Sequence, residues 1–178
     1  MTHTPIDEAG KKRKRDPKGT RDRLVRSALD LFTTIGYHES TTPQIAARAG
    51  VAEGTIYRHF KSKEKLLNSI HQAAVRKFRQ TIDDSGPEQD CRSRLDGIAR
   101  EWSLIAARDA ALVRLVFVRP PGKLLDQASK ALYKEFKREL ERVLASGKSA
   151  GQVKPGSVEM NTTSLSGCAA KASAKFKN

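Results

Sequence analysis

From Thr20 onward, apolar side chains recur at Leu24, Val25, Ala28, Leu31, Phe32 and Ile35, the stripe of an amphipathic helix that Gly36 is placed to stop. Thr41-Thr42-Pro43-Gln44 has the form of a capping box: a threonine cap, a proline where a missing N–H is tolerated, and a glutamine three residues on. A short second helix is expected from there, with Ile45, Ala46 and Ala49 inward and Gly50 at its end. Apolar spacing breaks at Ala49-Gly50 and resumes in a new phase at Ile56, which predicts a third helix from about Glu53 to His59 that buries Ile56 and Phe60. Two short helices joined by a tight glycine turn, with alanines at the crossing, make a helix-turn-helix whose second helix is shaped to enter a major groove.

Ser62 caps a longer predicted helix over Lys63 to about Gln80, with Leu66, Leu67, Ile70, Ala74 and Phe78 on one face. The turn residues Asp83-Asp84-Ser85-Gly86-Pro87 then predict a connector between two modules. Leu95, Ile98, Ala99, Trp102, Ile105 and Ala106 mark another helix. A shorter one runs from Ala110 to Arg119 and is ended by Pro120-Pro121-Gly122. Leu125, Ala128, Leu132, Phe136, Leu140 and Val143 define a last long helix closing near Ser146-Gly147. No segment alternates with period two, so the expected fold class is all-α. The division expected is a basic flexible arm over 1–17, a helix-turn-helix domain over 18–65, a helical regulatory domain over 66–160 and a disordered tail over 161–178.

Charge narrows the partner. The 178 residues carry 34 Lys plus Arg against 20 Asp plus Glu, a net +14 that favours polyanions, nucleic acid ahead of anionic membrane. Residues 1–80 hold 17 basic and 8 acidic side chains and the remainder 17 and 12, so the excess leans toward the N-terminus. Lys11-Lys12-Arg13-Lys14-Arg15 is open to three readings: a solvated arm, an arm on DNA phosphates, or a nuclear-import signal. No apolar run reaches the roughly 20 residues of a membrane span and no apolar core follows the N-terminal charges, so a soluble cytoplasmic protein is expected. Cys91 and Cys168 lack metal or disulfide patterning. His3, His38, His59 and His71 have no carboxylate or cysteine at catalytic spacing, and no phosphate-cradling glycine loop is present. An enzyme is not expected, nor a cofactor or metal.

Gly36-Tyr37, Thr41-Thr42, Ile45-Ala46, Ala49-Gly50-Val51, Gly54-Thr55-Ile56-Tyr57, His59-Phe60 and Lys61-Ser62-Lys63-Glu64 together resemble the N-terminal domain of TetR-type transcriptional regulators over about residues 20–67. The resemblance implies a homodimer on a palindromic double-stranded DNA operator and a helical C-terminal module that binds a small-molecule effector. A repressor released by that effector is the expected function. The DNA-binding set is Thr42, Pro43, Glu53, Gly54, Thr55, Tyr57, Arg58, His59 and Lys63. The start of the third helix offers N–H groups and a positive dipole end, and Thr55 can reach a base or a phosphate. Tyr57 and His59 are expected on the solvent side for backbone contacts, with Tyr57 packed on the first helix as the alternative. Lys63 matches the family's phosphate-binding lysine, and Thr42 can donate to another phosphate.

Three departures from the family pattern matter. Ala52 stands where a capping Ser or Thr is common, at a cost of roughly 1 kcal/mol. Pro43 lacks a side-chain donor, so base readout leans on Glu53, Thr55 and Arg58. The C-terminus is the third: after Met160 the chain has only Leu165 and Phe176 as large apolar residues, too few for the paired dimer helices of the family, as in a truncated or frameshifted frame or a cloning scar. The regulatory module is therefore expected to be incomplete there and the dimer weakened. Phe78, Trp102, Leu112, Phe117, Leu132, Tyr133 and Phe136 either wall an effector pocket or form plain core, while Arg108 and Arg114 either meet an anionic ligand or lie on a solvated face. The rival function is a basic DNA-coating or architectural protein with little sequence preference.

Overall fold

The computed structural model describes residues 16–86, 90–118 and 120–149, the side chains of 147–149 excepted. Every regular element among these residues is helical. The N-terminal arm, Cys168 and the tail over 161–178 lie outside the described residues. Helix α1 spans Pro17–Thr34, one turn earlier than the apolar stripe alone suggests, because the Asp16 carboxylate accepts from the Gly19 N–H and Pro17 opens the first turn. The backbone at Gly36 takes φ +105°, which a side chain would resist.

Helix α2 (Thr42–Ala49) starts on the reciprocal box read from its sequence: Thr41 Oγ1 accepts from the Gln44 N–H at 3.3 Å, and Gln44 Oε1 accepts from the Thr41 N–H at 2.8 Å. Gly50 ends it at φ +65° in the left-handed region. After three residues, α3 (Gly54–Phe60) begins with no side-chain cap, as Ala52 foreshadows. Helix α4 (Lys63–Asp83) is capped by Ser62, which accepts from the Lys65 N–H at 3.1 Å.

Helix α5 (Cys91–Arg108) follows, capped by Asp90. The apolar segment from Ala110 is not one helix. It splits into a single turn, α6 (Ala110–Val113), and a wider π-helical turn, Arg114–Val118. The wider turn sends Leu115 and Val116 into different cores. A 3-10 turn (Gly122–Leu124) leads to α7 (Gln127–Ser149), where the Asp126 carboxylate accepts from the Ser129 N–H at 3.0 Å.

Two apolar clusters hold these helices. The first joins Leu24, Ala28 and Phe32 of α1 to Ile45, Ala49, Ile56 and Phe60, and takes Leu66, Leu67 and Ile70 from α4. The second joins Ala74, Val75, Phe78 and Ile82 of the same helix to Ile98, Trp102, Val116, Phe136, Leu140 and Val143. Helix α4 therefore belongs to both. The turn after Asp83 joins α4 to α5 within the second cluster, so the change of core falls between Ile70 and Ala74, well before the connector that composition singles out.

Candidate nucleic-acid interface

Helices α2 and α3 present one shared polar edge. Thr42 Oγ1 lies 3.2 Å from Glu53 Oε1 and 3.1 Å from the Tyr57 hydroxyl, so the first residue of α2, the residue before α3 and the second turn of α3 are bonded together at the surface. Glu53 accepts from the threonine instead of capping its own helix. Pro43 and Gly54 are exposed beside them, and Thr55 is half-buried. A Cβ added at Gly54 would meet no atom within 4 Å and the backbone there is ordinary helix. The fold alone gives no reason for a glycine at this point. What its absence of side chain provides is a flat surface that another molecule's backbone can approach closely.

The α3 side chains divide by face. Ile56 and Phe60 are buried, Tyr57 is 49% exposed, and Arg58 is exposed with no ion pair among the described residues. The Tyr57 hydroxyl is engaged by Thr42 of α2. His59 departs from the expected solvent position. It is half-buried, its ring tilts against Phe60 at 6.2 Å between centroids, and Nε2 is buried without a protein partner. With Arg58 it lines a groove against Asp16, Pro17 and Thr20 at the start of α1.

Lys63 is turned inward. Its ammonium donates to the carbonyls of Tyr37 and Ser40 at 2.8 and 2.7 Å and lies over the Tyr37 ring. Burial lowers its pKa from the ordinary lysine value, and the nearby Glu39 carboxylate acts in the opposite sense. An ammonium has three N–H donors, so one remains for an outside acceptor. Other cations brace the unit from positions that sequence spacing did not single out. Arg23 donates to the Ala49 carbonyl at 3.2 Å, Arg21 lies 5.0 Å from the Phe60 ring centroid, and Arg48 pairs with Asp30.

The sequence pattern of the family described as "Bacterial regulatory proteins, tetR family" matches residues 24–70, the stretch that builds this edge and the first core. That match takes in most of α1, all of α2 and α3, and the first turns of α4. The fatty acid metabolism regulator protein of Bacillus subtilis (strain 168) is 29% identical over 136 residues, covering 75% of this chain and 70% of that protein. The Escherichia coli tetracycline repressor protein class C is 32% identical over 114 residues, 63% of this chain and 51% of the repressor. The chain thus spans about half of the second relative's length. A tetR-family regulatory protein from Rhodococcus RHA1 superposes with a TM-score of 0.72 at 22% identity, covering 89% of this chain and 85% of that one, which shows a shared fold.

In the second cluster the residues named as pocket walls mostly meet one another. Phe117 lies 4.9 Å from Phe78 and 5.1 Å from Trp102 between ring centroids, and Phe136 lies 6.0 Å from Trp102. The Trp102 indole donates to Thr81 Oγ1 at 2.7 Å, the partner a buried tryptophan needs. Leu132 packs at the margin of this cluster. Tyr133 faces a surface groove of about 460 Å³ that also holds Lys130, Lys134, Lys137 and Arg138. Leu112 faces a separate cleft against α1. His71 is fully buried 5.8 Å from the Tyr133 ring, and neither of its nitrogens has a protein partner. Burial pushes its pKa down to about 4. Among the described residues no cluster of His, Cys, Asp and Glu could hold a metal ion, and no helix is long and apolar enough to cross a membrane.

Proposed function

We propose that this chain is a sequence-specific DNA-binding transcriptional regulator, a repressor released by a small-molecule effector, acting as a homodimer on a palindromic operator. The observation that carries the reading is the bonded edge of Thr42, Glu53 and Tyr57, beside a glycine that the fold itself does not require. On this reading α3 enters the major groove, Glu53 and Thr55 contact base edges, and Arg58 supports them. Thr42, Tyr57, His59 and Lys63 hold phosphates and set register without carrying sequence information. Residues 18–65, with the first turns of α4, form the DNA-binding unit, and the helices after them form the regulatory unit. The relatives named above are regulators, which supports a non-catalytic role.

The deciding experiment selects binding sites from random duplexes and then titrates the best site against competitor DNA over a range of salt. The regulator reading expects a palindrome and a specificity ratio of at least about 10³. A small ratio at every salt concentration supports the architectural reading instead, in which net charge does the binding.

A further inference from the structure

The outer side of α7 carries a stripe of cations. Lys130, Lys134, Lys137 and Arg138 stand at i, i+4, i+7 and i+8 and are all exposed, so they share one face over about 12 Å of helix. None of the four has an ion pair among the described residues. The neighbouring carboxylates Glu135 and Glu139 are turned to Arg79 of α4, at 3.4 and 2.8 Å. The stripe walls the groove of about 460 Å³, whose remaining lining is Pro120, Gly122, Leu125, Tyr133 and a single carboxylate, Glu141. Four cations against one carboxylate leave this lining at +3. Like charges one turn apart on a helix repel, and an anion laid along the stripe removes that repulsion.

We propose that this groove binds an organic polyphosphate, a small molecule whose phosphates lie along Lys130, Lys134, Lys137 and Arg138 while its ring or apolar body rests on Tyr133, Leu125 and Pro120. The unbalanced lining selects an anion, and the length of the stripe selects one with several charges, because a lone carboxylate cannot span it. The volume falls within the roughly 300 to 1,000 Å³ of small-molecule sites. Tyr133 is braced on its buried side by the rings of His71 and Phe136, at 5.8 and 6.1 Å, so the apolar lining is in place before a ligand arrives. All four cations stand in solvent, and a ligand reaches them without opening either core. The existence of the site does not depend on DNA binding.

The test titrates the full chain calorimetrically at low salt, without divalent cations, against ATP, adenosine and inorganic tripolyphosphate. ATP should bind with a Kd of about 100 μM or tighter, at least about tenfold better than adenosine and about threefold better than tripolyphosphate. Combining Lys134→Glu with Lys137→Glu should weaken ATP about tenfold or more, both positions being exposed so that the fold survives. A control carrying Lys77→Glu and Arg92→Glu changes the net charge equally at exposed positions off the groove, and should bind ATP within about twofold of the parent chain. Tyr133→Leu should weaken ATP while leaving tripolyphosphate unchanged. Three results would each overturn the site: no heat at about 5 mM ATP, equal losses in the two charge-reversed proteins, which would assign binding to the overall field, or ATP bound no better than tripolyphosphate.

Discussion

The Lys63 ammonium sits 4.2 Å from the centroid of the Tyr37 ring while donating to the Tyr37 carbonyl at 2.8 Å. One side chain thereby ties the start of α4 to the loop that precedes α2. Lys63→Ala should cost roughly 2 kcal/mol of folding stability, the scale of charge-assisted hydrogen bonds, measured by urea unfolding. If its third donor reaches a DNA phosphate, the same variant lowers the salt slope of binding by about one unit. Unchanged stability would show that the carbonyl contacts contribute nothing.

Gly54→Ala separates fold from function. The site has room for a methyl group and helical backbone, so stability should hold or rise by up to about 1 kcal/mol. Affinity for the selected operator should fall, because the methyl group intrudes on the approach of another backbone. Fluorescence anisotropy beside thermal melting gives both numbers, and an unaffected affinity would remove Gly54 from the interface.

Glu53→Ala and Tyr57→Phe should differ in kind. The first removes a carboxylate suited to cytosine N4 and should relax preference at one position of each half-site. The second removes a hydroxyl bonded to Thr42 and should weaken binding to all sequences alike, with stability changed by no more than about 0.5 kcal/mol at this exposed site. A site-selection profile for each variant distinguishes the outcomes. Identical profiles for Glu53→Ala and the parent chain would exclude Glu53 from base reading.

His71 sets a pH dependence. Its imidazole titrates near 6.5 in the unfolded chain and about 4 when buried, so the unfolded state binds the proton first as pH falls. The folded state is favoured in full above pH 6.5 and loses stability progressively down to about pH 4, by up to roughly 3 kcal/mol. His71→Leu should flatten that part of the stability profile. A parent-like slope between pH 6.5 and 4 in the variant would assign the effect to other groups.

Local chemistry was the legible part of this chain. Thr41 with Gln44, Gly50 and Ser62 each carry a cap or stop in the residue type itself, and the helix boundaries follow from them. The wider turn at Arg114–Val118 was not legible, because an apolar run interrupted only by Arg114 gives no phase for choosing between helix types. Nor does spacing show α4 changing cores, since Leu66 and Phe78 sit on one continuous stripe. The interface residues could be named one by one, but the bonds of Thr42 to Glu53 and Tyr57 depend on how α2 crosses α3. Arg26 pairs with Asp109, 83 residues along the chain, and no local pattern joins them. His71 did leave a signal. It stands four residues after Leu67 and seven before Phe78, an inward position that an apolar count passes over.

Trp102 is the one tryptophan in the chain, and its indole lies wholly within the second core, bonded to Thr81. The molecule consequently carries its own optical label, placed in one of its two cores and absent from the other. Emission on denaturation reports the α4–α5–α7 core, whereas far-ultraviolet circular dichroism averages over every helix. Because α4 runs through both cores, the two signals should lose their native values together, and any gap between the curves would measure how loosely that shared helix couples them.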